Sequence, residues 1–350
     1  MTVLRGQPHR ILIMAPAWIG DMVMAQSLVA RLAELHPSAT IDLAAPPWTA
    51  ALGGRMPGVG RVFTLPATHG RFDLAMRMRF ARRLRDEAHD LAIVLPSSWK
   101  SALIPFLAGV KRRRGYLGEM RFGLLNEWRR LDKTRLPRTV DRFVALAEPD
   151  GAEPRVAPPQ LVPDLAAGRA LAARHGLALD RPLLALCPGA EYGPAKRWPA
   201  EHFAAVGVEA AKRGHRVAIF GAKGDVAAGS AVAGLIAEAT GERPADLTGA
   251  TDLIEAIDLL ALCSAVVTND SGLMHVAAAL GLPLVAVYGS SSAEMTPPLS
   301  GEARVAEIAL DCRPCFKRTC PLGHTNCLKG VTPQAVAALL WRSDIGQMTR

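Results

Sequence analysis

Short apolar runs alternate with longer amphipathic stretches along nearly the whole chain. Runs at 10–15, 40–45, 62–65 and 91–95 read as strands, and residues 20–35 and 71–88 read as helices. A short helix follows Pro96, Ser97 and Ser98. The rhythm then repeats, with strands at 183–186, 216–220, 265–267, 284–288 and 304–310 and helices at 200–212, 226–240, 252–262, 273–280 and 333–341. Strands that alternate with helical segments predict parallel sheets with crossover helices. Between the two halves Pro149, Pro154, Pro158, Pro159 and Pro163 crowd one stretch, which predicts an extended linker. The expected architecture is α/β: two Rossmann-like, doubly wound domains facing across a cleft, at 1–148 and 166–332, joined by a linker at 149–165 and followed by a helix and tail at 333–350.

The stretch 265–289 is organised most clearly. Its apolar run stops at Thr268, Asn269, Asp270 and Ser271, residue types that cap helices, and Gly281 and Pro283 end the helix that follows. That helix therefore starts beyond the carboxyl end of a strand, where open α/β sheets bind ligands. Its free N–H groups favour an anion there, with phosphate the commonest.

Composition narrows the class. With 50% hydrophobic and 21% charged residues the chain reads as a globular protein, and no apolar run reaches the roughly 18 residues of a membrane span. Arg5, His9 and Arg10 before ILIMAPAWIG resemble a signal peptide until Asp21 and Gln26 follow without a small-residue cleavage site, so a cytoplasmic location is predicted. The whole net charge of +9 lies in residues 1–165, which hold 24 Lys+Arg against 15 Asp+Glu. Arg71, Arg77, Arg79, Arg82, Arg83 and Arg85 form one cluster, and Lys111, Arg112, Arg113 and Arg114 another. Each is either a solvated face or a surface that meets an anionic partner. Nucleic acid is disfavoured, because no base-reading motif accompanies the charge.

Chemistry is concentrated in the strand-end loops. PGAEYGPAKRWP at 188–199 brings Gly189, Gly193, Lys196 and Arg197 together without the ending of a Walker loop, and reads as a surface turn or a diphosphate clamp. Its partner would be the helix beginning near Ser271, since a diphosphate leaving group needs a cation as well as amides. Asp21 is either a helix-start charge or a general base. Asp270 is cap or ligand, and His275, one turn beyond Ser271, reaches an anion or packs on its helix. Asp225, in FGAKGD, is a candidate for a ribose hydroxyl. No G-x-G-x-x-G follows a strand, which lowers a nicotinamide enzyme. No Asp-x-Asp is present, so nothing indicates a divalent cation and charge neutralisation falls to Lys196 and backbone donors. Cys312, Cys315, Cys320 and Cys327, with His324 among them, are unligated thiols, a structural zinc site or an iron–sulfur site. A non-catalytic nucleotide-sensing or zinc-bearing module is the rival of a different class.

Through APAWIGDMVMAQSL, LPSSWKSALIPFLAG, YLGEMRFGLLNE, CPGAEYGPAKRWP, VTNDSGLMHVAAAL and VYGSSSAEMTPPLS, the chain resembles the ADP-heptose:lipopolysaccharide heptosyltransferases of glycosyltransferase family 9. The likeness is strongest to the branch that acts on the first heptose of the inner core, and it runs from Arg10 to about Arg304. It implies the GT-B arrangement, ADP-heptose as donor and inverting transfer to a phosphorylated lipid A/Kdo/heptose acceptor at the cytoplasmic face of the inner membrane. It also implies Asp21 as catalytic base, Lys196 on the pyrophosphate, Asp270, Ser271, Gly272 and His275 as donor-binding, Asp225 near the ribose, and no required cofactor. The alternatives are transfer of the first heptose to Kdo-lipid A and a sugar-nucleotide epimerase on the same fold.

Overall fold

The computed structural model describes residues 7–66 and 72–341, so Arg5, Arg71 and residues 342–350 of the tail lie outside the described residues. The chain forms two compact units, 1–160 and 161–350.

In the first unit β1 (Arg10–Met14), α1 (Ile19–Leu35), β2 (Thr40–Ala45), α2 (Pro47–Gly53), β3 (Val62–Thr64), α3 (Leu74–Arg85), β4 (Leu91–Val94), α4 (Trp99–Leu107), β5 (Arg112–Tyr116), β6 (Glu127–Arg129) and α5 (Thr139–Ala145) follow in order. The strands form one sheet in the order β3-β2-β1-β4-β5-β6, with every pairing parallel. The uninterrupted apolar pattern of β1 and β4 suits strands covered on both faces, and Ile11, Leu12, Ile13, Ile93 and Val94 have no exposed surface. Because β2 and β4 flank β1, the order of strands reverses there and opens a crevice at their carboxyl ends.

Several expectations change in this unit. The predicted helix at 71–88 runs only over Leu74–Arg85, started by Asp73, whose carboxylate accepts from the Met76 amide at 2.8 Å. Helix α2 is absent from the predicted elements, and Pro47 sits in its first turn, where the missing N–H costs nothing. The cluster at Lys111–Arg114 is no free cationic surface, since most of it is β5. Arg112 and Arg114 each bind Glu127 of β6 at 2.7 Å, and Arg113 donates to the carbonyls of Leu124 and Val110. A run of arginines carries no apolar alternation, so this strand and the short Glu-Trp-Arg strand beside it are invisible to hydrophobic periodicity.

The second unit holds α6 (Leu165–Arg174), β7 (Leu183–Cys187), α7 (Ala200–Lys212), β8 (Arg216–Ile219), α8 (Val226–Thr240), β9 (Ala245–Asp246), α9 (Leu253–Leu260), β10 (Ala265–Asn269), α10 (Gly272–Ala279), β11 (Leu284–Val287), β12 (Ala303–Ala306), α11 (Asn326–Lys329) and α12 (Pro333–Leu340). Its parallel sheet runs β12-β11-β10-β7-β8-β9, the same plan as the first, with the reversal between β7 and β10. The strand predicted at 304–310 stops at Ala306, because Arg313 gathers the Ile308 carbonyl and the Glu307 carboxylate and turns the chain away.

The proline-rich stretch is tied down at both ends. The Ala157 carbonyl accepts from Ser27 and the Gln160 amide donates to Gln26 in the first unit. The amides of Leu161 and Asp164 bond to Ala279 and Asp258 in the second.

Candidate active site

The reversal between β7 and β10 positions the loop at 188–198 and the start of α10 side by side. Asn269, the last residue of β10, is fully buried and joins them. Its Nδ2 donates to the Pro188 carbonyl at 2.7 Å, and its Oδ1 accepts from the Trp198 amide at 2.9 Å. Both ends of the loop are thereby pinned to one strand tip.

Between those pins, Pro194–Lys196 makes one 3₁₀ turn and aims Lys196 at α10. Its Nζ lies 2.5 Å from Asp270 Oδ2, which also accepts from the Ser291 hydroxyl. The Tyr192 ring flanks the ammonium, with its centroid 5.0 Å away. Ser271 is the N-cap of α10, yet its side chain makes no capping bond to the first-turn amides. This gathers a cation, a carboxylate, hydroxyls and backbone N–H groups at one strand edge, where a diphosphate would displace Asp270 from the ammonium.

His275 is buried one turn along α10. Burial lowers its pKa to about 4, helped by the nearby Lys196 cation and opposed by Asp270. With that pKa the ring carries no charge near pH 7. The unfolded chain takes up this proton below pH 6.5, whereas the folded one refuses it until about pH 4. Stability is therefore lost as pH falls through that window, by about 3 kcal/mol. His275→Gln should lose correspondingly less between pH 7 and pH 4.5 than the unsubstituted protein, as read by urea unfolding, and equal losses would remove His275 from the effect.

Asp225 belongs to the same loop cluster and faces Gly189. Its carboxylate accepts from the Ala222 amide at 3.0 Å, stands 3.6 Å from Arg197 and packs against the Cα of Gly189. A Cβ on Gly189 would lie 2.2 Å from Asp225 Oδ2, so glycine is needed there for space. Gly189→Ala should cost about 1–3 kcal/mol in urea unfolding, with part recovered by adding Asp225→Ala. No recovery would place the strain elsewhere.

The segment between β12 and α11 braces this site. Tyr192 donates its hydroxyl to the Phe316 carbonyl at 2.7 Å, and the Ala195 amide donates to Arg318 at 3.0 Å. Gly193, at φ 147°, allows the close approach of Arg318. Arg313 donates to the carbonyls of Gly289 and Ser291, which sets the turn that presents Ser291 to Asp270. Cys312, Cys315, Cys320 and Cys327 line one small pocket with His324. Backbone N–H groups, Thr325 foremost, lower the Cys320 pKa, and burial raises that of Cys327. Among the described residues no group of three or more His, Cys, Asp and Glu side chains is arranged to hold a metal ion.

In the first unit Asp21 lies in the first turn of α1, half-buried, just beyond the carboxyl end of β1. The preceding turn is held by Trp48, whose indole donates to the Ala17 carbonyl at 2.8 Å.

Two doubly wound units of one strand order, the second carrying the Lys196–Asp270 pair at its reversal point, have the architecture of the GT-B glycosyltransferases. The sequence matches glycosyltransferase family 9 (heptosyltransferase) over residues 77–326, and the chain belongs to that family. It is 43% identical to the lipopolysaccharide heptosyltransferase 2 of Salmonella typhimurium over 337 residues, covering 93% of this chain and 96% of the relative. The lipooligosaccharide heptosyltransferase 2 of Haemophilus influenzae is 43% identical over 85% of this chain and 88% of its own. The solved structure of Escherichia coli ADP-heptose lps heptosyltransferase II superposes with a TM-score of 0.84 at 40% identity, covering 95% of this chain and 97% of that one.

Lys196, Asp270, Ser271, Gly272 and His275 thus lie together at the carboxyl end of β10, and Asp225 lies against Gly189 of the neighbouring loop. Asn269, Ser291 and Arg313 were not singled out from sequence. Asn269 reads as one more capping residue, and Ser291 lies in the VYGSSS motif, which signals a strand end and nothing more specific.

Proposed function

We propose that the chain transfers heptose from ADP-heptose to the first heptose of the lipopolysaccharide inner core, with inversion at the anomeric carbon. The observation that carries this reading is the Lys196–Asp270 pair beside the open first turn of α10, a site built for a diphosphate leaving group. The 43% identity over 93% of the chain supports the choice of donor and acceptor.

Asp21 takes the proton of the attacking acceptor hydroxyl, and that oxygen forms the new bond to C1 of the donor heptose. The bond from C1 to the diphosphate oxygen breaks, and ADP carries the electron pair to Lys196 and the amides after Ser271. Asp270, released from the ammonium, accepts from hydroxyls of the transferred sugar, and neutral His275 supplies a hydrogen bond at the same helix. Asp225 supports the adenosine end by holding the loop at Gly189 in place. The thiols at Cys312, Cys315, Cys320 and Cys327 take no part in transfer.

The acceptor is a phosphorylated lipid, and the enzyme works peripherally at the cytoplasmic face of the inner membrane. Exposed Phe72, Leu74 and Met78 with Arg79 and Arg82 support contact with an anionic surface. Among the described residues no helix is long and apolar enough to cross a membrane. ADP release is the test, measured with acceptors bearing no heptose or one. Release dependent on the one-heptose acceptor supports the assignment. Release only with the Kdo-terminated acceptor assigns the first heptose instead, and release with neither product favours an epimerase.

A further inference from the structure

Many arginines of residues 1–165 are engaged within the fold, although Arg79 and Arg82 stay exposed. Arg10 binds Asp42 and Glu87, Arg31 binds Glu148, and Arg112 and Arg114 bind Glu127. Arg121 is almost wholly buried, on the carbonyls of Tyr116, Pro96 and Ser98.

A concave place lined by arginines lies at the far edge of the first unit's sheet. A cavity of about 310 Å³ opens at the carboxyl ends of β5 and β6, lined by Tyr116, Arg129, Arg130, Asp132, Arg135 and Asp150 among others. That size suits a small ligand group. Arg130 is exposed and makes no hydrogen bond or ion pair among the described residues. Arg129 donates to the Ala145 and Glu148 carbonyls, and Arg135 to the Gly151 carbonyl and, at 3.5 Å, to the exposed Glu153 carboxylate, so both guanidiniums are held in place. Burial, with the nearby Arg114 cation, lowers the pKa of Arg129, a strain that an anion would relieve.

The two acids do not cancel this. One oxygen of Asp132 is already engaged by the amides of Thr134 and Arg135, and Asp150 is mostly exposed, 3.6 Å from Arg129. Asp21 stands at the same carboxyl edge, beyond β1. With strands about 4.8 Å apart, β5 and β6 lie two and three strands away, or about 10–15 Å. That is the position for a substituent on a sugar neighbouring the reacting one.

We infer that the Arg129–Arg130–Arg135 cavity is an acceptor subsite that takes an anionic substituent, a phosphate monoester or a sugar carboxylate. The inference rests on the transferase reading, because the ligand is taken to be part of the acceptor. Two readouts separate the failure of one from the failure of the other. With ADP saturating the donor site, inorganic phosphate and acetate are titrated while the amide signals of Arg130 and Gly151 are followed. Saturable shifts are expected, and their loss in Arg130→Ala/Arg135→Ala. In the transfer assay, the same variant should raise the acceptor KM about tenfold or more, with little change in kcat or in the KM for ADP-heptose.

Acceptors stripped of phosphate, or with their carboxylates reduced, identify the source, since the variant loses discrimination only toward the group that the cavity reads. Arg130→Ala alone is exposed and should keep the thermal midpoint of the parent while showing part of the effect. Unchanged acceptor KM together with unshifted amides would overturn the subsite. Intact anion binding without heptose transfer would overturn the transferase reading instead.

Discussion

Asp21→Asn is expected to lower turnover by at least about 10², because a positioned general base contributes about 10²–10⁴ and the amide accepts no proton. The substitution keeps size and shape in the first turn of α1, where Asp21 is half-buried. ADP affinity should stay within about twofold of the parent, since the nucleotide site we propose lies in the other unit, at β7, β10 and α10, and a twofold change is only about 0.4 kcal/mol. Single-turnover kinetics with isothermal titration of ADP separate the two quantities. Unchanged turnover would remove Asp21 from the chemistry, and a large loss of ADP affinity would make it a binding or structural residue.

The second large effect is at Lys196. Truncation to Ala removes a charge-assisted bond worth about 1.5–3 kcal/mol, so ADP should bind about 10- to 100-fold more weakly while adenosine is little affected. The same change leaves the Asp270 carboxylate buried with Ser291 as its remaining partner. Stranding a buried charge costs about 3–5 kcal/mol, so stability falls as well. Lys196→Ala/Asp270→Asn separates these consequences: stability should return, and ADP affinity should not. If the double variant recovers ADP binding, the lysine acts by neutralising Asp270 and not by holding the diphosphate. Equal losses for ADP and adenosine would remove it from the diphosphate site.

Much of this site is legible in the sequence because its parts are local. A strand, a break of Asn, Asp and Ser, and a helix together specify where the α10 amides open, and Gly189, Gly193 and Lys196 within one loop signal close backbone approach beside a cation. What is hidden depends on partners far along the chain. Asn269 spans from β10 to Pro188, about 80 positions away, and Ser291 reaches back to Asp270. Arg313 acts by gathering three carbonyls, and no spacing rule marks such a residue.

The basic run before Tyr116 shows the opposite error. Read by composition it is a surface, whereas Glu127 opposite turns it into a strand interior. The residues lining the cavity at Arg129–Arg135 are scattered over β6, the following loop and the proline-rich stretch, so charge counting points no closer to it than the basic half of the chain. The fold was easier to anticipate: apolar runs buried on both faces can hardly be placed except in parallel sheets, and β1, β4, β7 and β10 are such runs.

The most direct measurement is product analysis after incubation with ADP-heptose and a core acceptor that ends in a single heptose. The account predicts one added heptose per acceptor, joined with the anomeric configuration opposite to that of the donor, and one ADP released for each. A retained configuration, or ADP released without a heavier acceptor, would contradict it.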